Sequence, residues 1–264
     1  MAHVFAKNVV VLIAHRRSGT TVLKDMLRNS GDYYFEGNHE VFRPVVANPK
    51  NFYHFWHQSV LEEPENLYAA NRHRLMLEFM DREAEVYPAD RAGFDIKYYQ
   101  FSQCGSLFDM IGSSNCFIIH LVRSNAVKGY VSDLLLAQTR KEGQTARKLK
   151  VENVQDFEKG VLNRIRETEL YTRRISGLKL PETRFASFEY ENLFSDVDHL
   201  GSGQCLNPEY VRKLATCLGS SDQADDFVTT RKKENAPTCR DSIENFDDVF
   251  EKIVDSRIKE QMAN

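Results

Sequence analysis

Long apolar runs are missing from this chain. No stretch approaches the roughly 20 apolar residues that a membrane-crossing helix needs, so no membrane is expected as a partner. Cysteine is sparse and unpatterned: Cys104, Cys116, Cys205, Cys217 and Cys239 are odd in number, widely spread and contain no C-x-x-C. That excludes a disulfide framework and a zinc site, and it suits a reducing compartment. The apolar run at residues 9–14 is too short for the core of a secretion signal, and arginines follow it rather than precede it. A cytoplasmic protein is therefore expected. A basic excess is missing too. A net charge of −3 argues against nucleic acid as a partner and makes any basic site a local one. The spacing G-x-x-x-x-G-K-[ST] does not occur, so there is no Walker A loop. Internal repeats and low-complexity segments are absent as well.

What is present is an ordinary globular composition, 42% apolar and 28% charged, in 264 residues, enough for one α/β domain with a sizeable core. Residues 9–14 (Val-Val-Val-Leu-Ile-Ala) read as a strand buried on both faces. His15 to Gly19 is a tight polar turn with two adjacent arginines. From Thr20 the pattern is helical, with Leu23, Met26 and Leu27 on one side. Residues 33–36 predict a second, edge-type strand, and 37–44 a loop. Two helical patterns separated near Pro64 fill residues 51–86, the clearer at 66–85.

Further strands are expected at 92–100, 116–122 and 183–190, and helices at 105–111, 125–141, 153–177, 208–218 and 246–258. Strands alternating with helices imply α/β architecture: three layers, α/β/α, around a central parallel sheet. The expected organisation is a single domain over residues 1–264, with a helical insertion at about 45–90 and a C-terminal tail and helix at about 220–264. Ligands of such sheets sit at the carboxyl ends of the strands.

Two of those strand ends are basic. A helix N-terminus offers unpaired N–H groups and a partial positive charge. At residues 15–21 it is joined by the hydroxyls of Ser18, Thr20 and Thr21 and the charges of Arg16 and Arg17, which makes an anion site. Arg123 follows the strand at 116–122, where its guanidinium is placed to fork two hydrogen bonds onto a phosphate. Glu40, in the loop after the second strand, supplies a carboxylate that could face the early turn across a cleft.

Arg17-Ser18-Gly19-Thr20-Thr21 ahead of an apolar helix resembles the 5′-phosphosulfate loop of the sulfotransferases that use 3′-phosphoadenosine-5′-phosphosulfate (PAPS) and release 3′,5′-ADP (PAP). The likeness is nearer to the bacterial carbohydrate and small-molecule members than to the cytosolic steroid and phenol type. It implies the P-loop-like sulfotransferase fold, and it puts the phosphosulfate on Arg17 and the 18–21 turn, with Gly19 at its centre.

Residues 118–123 followed by a helix containing Ser132 resemble that family's 3′-phosphate motif, although Arg123 and Ser132 are nine apart where many members have eight; Ser124 or Asn125 could stand in for Ser132. Residues 37–42 resemble the region where bacterial members place a catalytic Glu, which falls on Glu40; His39 beside it is the rival base. Tyr190 matches a strand-end tyrosine that touches adenine in relatives, or is a core tyrosine. Arg231, Lys232 and Lys233 lie where the family often closes a late basic segment on the 3′-phosphate. Lys97 and Gln100 match a Lys…Gln strand near the cleft floor.

The resemblance thus implies transfer of a sulfuryl group from PAPS to a hydroxyl or amine of a small-molecule or carbohydrate acceptor, without a metal. An ATP-dependent phosphotransferase and a catalytically silent nucleotide-binding module are the alternatives. Other features stay open between a bland and a functional role. A basic patch at Arg140, Lys141, Arg147, Lys148 and Lys150 is a solvated loop or a lid, and Trp56 and its aromatic neighbours are packing or an acceptor wall. His54 and His57 share a helix face but have no further ligands in sight. Acidic and aromatic residues near 33–42 and 51–56 hint at a polar or cationic acceptor.

Overall fold

The computed structural model describes residues 8–35, 40–87, 89–142, 148–194, 204–219, 226–229 and 238–264. The chain opens with β1 (Asn8–Ala14), α1 (Thr20–Asn29) and β2 (Tyr33–Phe35). Next come α2 (Phe52–Glu62), a 3-10 turn at Pro64–Leu67, and α3 (Ala69–Val86). Then follow β3 (Arg91–Lys97), α4 (Tyr98–Gln103), α5 (Ser106–Ser113), β4 (Phe117–Val122), α6 (Ala126–Glu142) and α7 (Val154–Ser176). The rest is β5 (Phe185–Glu189), β6 (Gln204–Cys205), α8 (Pro208–Leu218), β7 (Val228–Thr229), α9 (Cys239–Ser242), α10 (Phe246–Lys252) and α11 (Ser256–Ala263). No helix among the described residues is long and apolar enough to cross a membrane.

Five strands form one parallel sheet in the order β2-β3-β1-β4-β5, and β6 pairs antiparallel with β7 apart from it. The apolar run of β1 is central because both its faces are covered. Val9, Val11 and Ile13 point into one core, with Leu75, Phe79 and Met80 of α3 and Leu107 and Ile111 of α5. Val10, Leu12 and Ala14 point into the other, with Leu23, Met26 and Leu27 of α1 and Tyr210, Val211 and Leu214 of α8. Each fully buried Leu, Ile or Phe contributes about 1.5–3 kcal/mol, so this alternation forces helices onto both faces. The result is the three-layer α/β/α architecture that the element pattern implied. A third core joins α6 and α7 to α9, α10 and α11 through Val127, Phe157, Val161, Val249 and Ile258.

The register sets the site. Ala14 stands level with Lys97 of β3 on one side and Leu121 of β4 on the other. The chain leaves β1 to one side for β2 and β3 and to the other for β4 and β5. That reversal puts a crevice at the carboxyl end of β1.

Several expected boundaries are corrected. The strand expected at 92–100 stops at Lys97, because Gln100 folds back and its Oε1 accepts the Lys97 N–H at 2.6 Å, which starts α4. The helix expected at 66–85 begins only at Ala69; Asn66 is held in the preceding 3-10 turn, its carbonyl accepting from Trp56 Nε1 at 2.9 Å and its Oδ1 from Arg74 at 3.0 Å. The strand expected at 183–190 begins at Phe185, after a 3-10 turn at Glu182–Arg184, and ends at Glu189. The last helix, expected unbroken over 246–258, is α10 and α11 separated at Ile253, Val254 and Asp255, where Asp255 caps α11 by accepting the Arg257 N–H at 2.9 Å. Trp56 packs at the edge of the first core beneath the Arg72 guanidinium, 4.5 Å from its ring.

His120, in the middle of β4, is 1% exposed, and its Nε2 lies 2.6 Å from the Tyr98 hydroxyl. Burial pulls this imidazole down to about 4 and pushes the phenol up, so the ring is neutral and the phenol donates. The folded state therefore binds fewer protons here than the unfolded chain does. The resulting stability is complete above about pH 6.5 and is lost as pH falls toward 4, to the extent of about 3 kcal/mol. Urea unfolding between pH 7 and 5 should accordingly be less steep in pH for His120→Gln than for the wild type. Equal slopes would exclude His120 as the source.

Candidate active site

The turn after β1 is built on unusual backbone. Arg17 has φ 57 and Gly19 φ 80, both left-handed. For arginine that conformation is strained and persists only where its surroundings over-determine it. The surroundings do so. Arg123, just past β4, donates from Nη1 to the Arg17 carbonyl at 2.7 Å, and Arg164 of α7 donates to the Arg16 carbonyl. Arg17 Nε in turn donates to Ser132 Oγ at 2.9 Å, and His15 Nε2 meets Glu167 of α7 at 2.9 Å. Five residues of turn are thus fastened by β4, α6 and α7.

Behind the turn the packing is tight. The Arg123 guanidinium, 6% exposed, lies 4.7 Å from the centre of the Tyr190 ring. Burial lowers its pKa, and Tyr190 and Glu191 partly restore it. The same ring presses on Gly19, where an added Cβ would come within 2.2 Å of it. Two buried donors here have no hydrogen-bond partner, Ser18 Oγ and Arg123 Nε. Buried polar atoms are ordinarily satisfied. Ser18 lies within the turn, and Arg123 is bonded to the turn's Arg17 carbonyl.

In front of the turn is a cavity of about 830 Å³, lined by His15, Arg16, Arg17, Thr20, Thr21, Lys24, Glu40, Asp95, Lys97 and Tyr99 among others. Its floor is a buried charge cluster. Lys97 Nζ donates to Asp95 at 2.7 and 2.9 Å and to Thr20 Oγ1 at 2.6 Å, and Lys24 Nζ lies 3.0 Å from Asp95. Burial pushes the Asp95 carboxyl up, but Lys97 and then Lys24 outweigh it and hold it below the usual range. Burial lowers the Lys97 ammonium, against the opposing pull of Asp95. Two ammonium groups on one carboxylate leave a net positive charge beside the first turn of α1. On the cavity wall, the Tyr99 hydroxyl donates to Glu40 Oε2, and burial followed by that carboxylate raises the phenol's pKa.

The structure therefore gathers Arg16, Arg17, Thr20, Thr21 and Glu40 around one cavity, and sets Ser18, Gly19, Arg123, Ser132 and Tyr190 behind the turn. Of the alternatives to Ser132, Asn125 caps α6 by accepting the Lys128 N–H at 2.9 Å and donates to Gln261, while Ser124 is exposed. His39, Arg231, Lys232 and Lys233 lie outside the described residues. Among the described residues no group of three or more His, Cys, Asp or Glu could hold a metal ion.

Sequence reasoning missed Lys24, Asp95, Tyr99, Asp133, Arg164 and Glu167. For Lys24 a signal existed: it falls on the apolar side of α1 with Thr20, Leu23 and Leu27. Asp95, between Phe94 and Ile96 in a wholly buried strand, was another. Arg164 carried none, because its partners are remote in sequence.

No protein-family model and no curated protein matches the chain. Among solved structures, the sulfotransferase domain from the curacin biosynthetic pathway is similar over 98% of this chain and 97% of its own, at TM-score 0.48 and 13% identity. A sulfotransferase from Alicyclobacillus acidocaldarius is similar over 98% and 97%, at 0.47 and 14%. One from Mycobacterium tuberculosis is similar over 85% and 70%, at 0.40 and 15%. At these identities the likeness is one of backbone path alone.

Gly19 and Gly31 have nearly the same left-handed φ, 80 and 84, but a Cβ at Gly31 meets nothing within 4 Å. Gly31→Ala should cost about 1–2 kcal/mol from backbone strain. Gly19→Ala should cost about 1–3 kcal/mol more, because the Tyr190 ring must move. Urea unfolding of the two variants measures the difference, and equal costs would mean that the ring yields freely.

Proposed function

We propose that this protein is a PAPS-dependent sulfotransferase acting in-line on a hydroxyl or amine of a small-molecule or carbohydrate acceptor. The observation that carries the reading is the convergence of two cationic strand ends: Arg123 bonds to the carbonyl of Arg17, whose own side chain reaches Ser132. A nucleotide with a phosphosulfate at one end and a phosphate at the other needs cations near both, and the neighbouring parallel strands β1 and β4 each lead into one. The unpartnered Ser18 Oγ and Arg123 Nε fit such a guest.

In this reading Arg17, the helix-end amides of residues 18–21 and the hydroxyls of Thr20 and Thr21 hold the phosphosulfate. Lys97 fixes the Thr20 hydroxyl. Arg123 and Ser132 serve the 3′-phosphate, Tyr190 supports the turn from below, and Arg16 adds charge at the mouth. The donor supplies an activated sulfuryl group. The acceptor oxygen or nitrogen attacks sulfur, the bond to the bridging phosphate oxygen breaks, and Glu40 takes the acceptor's proton. Tyr99 orients the Glu40 carboxylate. A donor aimed at the developing charge contributes about 10²–10³-fold in rate. Arginine, lysine and amides do the neutralising, so no metal step is invoked. The rival phosphotransferase reading has no Walker lysine, and it meets Arg123 where a magnesium-binding aspartate is required.

Thermal-shift titration tests this. 3′,5′-ADP without magnesium should stabilise the protein, and a preference for Mg-ATP would overturn the assignment. Glu40→Gln should keep that stabilisation while sulfuryl transfer falls about 10²–10⁴-fold; undiminished turnover would remove Glu40 from the role of base.

A further inference from the structure

Among the described residues the charges lining the cavity are not balanced. Lys24 and Lys97 share Asp95, His15 faces Glu167, and Arg16 lies 4.0 Å from Asp133, which is bonded more closely by Arg164 at 2.9 Å. Arg17 is committed to Ser132 and to the anion turn. Two cavity-lining arginines are left, Arg43 and Arg140, and neither has a carboxylate partner among the described residues.

Both line the cavity that also holds Glu40. The Arg43 N–H donates to the Glu40 carbonyl at 2.8 Å, closing a turn that ties it to the carboxylate assigned as base. Its charge reaches the Tyr99 phenol that bonds Glu40, where it opposes the rise caused by burial. Arg140 extends from α6 on the same side as Asp133 and Leu136, at offsets of three and seven residues that align on a helix. Apolar residues share the lining: Pro44 and Val45 follow Arg43 in the chain, and Leu136 is one turn before Arg140 on α6. A pocket with two guanidinium groups that have no carboxylate partner among the described residues, some apolar lining and a Glu40 carboxylate engaged by a phenol suits an anion. The acidic and aromatic residues near 33–42 and 51–56 hint at a polar or cationic acceptor, and a cationic one would face two guanidinium groups with no carboxylate partner among the described residues.

We propose that Arg43 and Arg140 recognise an anionic substituent (a carboxylate, phosphate ester or sulfate ester) on an acceptor whose hydroxyl or amine is presented to Glu40. The inference rests on the sulfotransferase reading and sharpens its acceptor class. Guanidinium groups pair with such oxyanions through two parallel hydrogen bonds, and hydrogen bonds to charged groups are roughly twice as strong as neutral ones. Loss of either arginine should therefore raise the KM for an anionic acceptor at least about tenfold.

The experiment incubates the protein with isotope-labelled PAPS and three size-matched sets of hydroxylated and aminated small molecules, anionic, neutral and cationic, with products read by mass. Product should come predominantly from the anionic set. Arg43→Gln and Arg140→Gln should each raise KM for the best anionic acceptor while leaving stabilisation by 3′,5′-ADP as in the wild type. Product drawn mainly from the neutral or cationic set overturns the inference, as does no product from the anionic set by a protein that 3′,5′-ADP stabilises. Weakened 3′,5′-ADP binding in the variants with acceptor KM unchanged also overturns it, because the arginines would then serve the nucleotide. If 3′,5′-ADP fails to stabilise even the wild type, the sulfotransferase reading itself falls and takes this one with it.

Discussion

The bond from Arg123 to the carbonyl of Arg17 joins two strand ends that lie far apart in the chain, and the site depends on it. A left-handed arginine two residues before a left-handed glycine would relax in isolation. Here the carbonyls of residues 16 and 17 are each gripped by a buried guanidinium, and the Gly19 Cα rests on an aromatic ring. Packing behind the turn thus sets its conformation. The arginines that do the gripping are buried among groups that favour their charge, since a bare buried cation would cost several kcal/mol. Arg164 has Asp133 at 2.9 Å, and Arg123 has the face of Tyr190.

A second constraint lies on the other side of β1. Asp95 is an acid inside a strand that is otherwise apolar, and its burial is tolerable only because two ammonium groups meet it. One of them, Lys97, also holds Thr20 at the head of α1. The cluster therefore couples the tip of β3 to the start of α1 and leaves one positive charge over. An anion approaching the turn meets fixed positive charge from the floor, from the turn itself and from the helix end, with little reorganisation needed.

The helices after β2 do different work. α2, the 3-10 turn and α3 close the first core, with Phe52, Phe79 and Met80 buried and Trp56 tied to Asn66. The segment that leads into them carries Glu40 and Arg43, so that side of the cavity is anchored by that packing. Asn51 links the two: it caps α2 through the Tyr53 N–H and its Nδ2 approaches the Glu40 carbonyl at 3.4 Å.

By itself the sequence determined the architecture and brought the two basic strand ends into view. Periodicity read the central strand of residues 9–14, the helices flanking it and the strand that ends at Arg123, because these are local patterns of buried and exposed positions. The basic turn at 15–19 was legible for the same reason. Boundaries failed where a side chain closed on its own neighbourhood, as Gln100 does on Lys97 and Asp255 on Arg257. Only the tertiary structure decided which groups meet. Arg164 reaches Arg16, Tyr99 reaches Glu40 and Glu167 reaches His15 across long stretches of chain, through the register of parallel strands and the packing of α7. Such pairings leave no periodic trace, because they follow from where whole elements dock rather than from the spacing of residues within one.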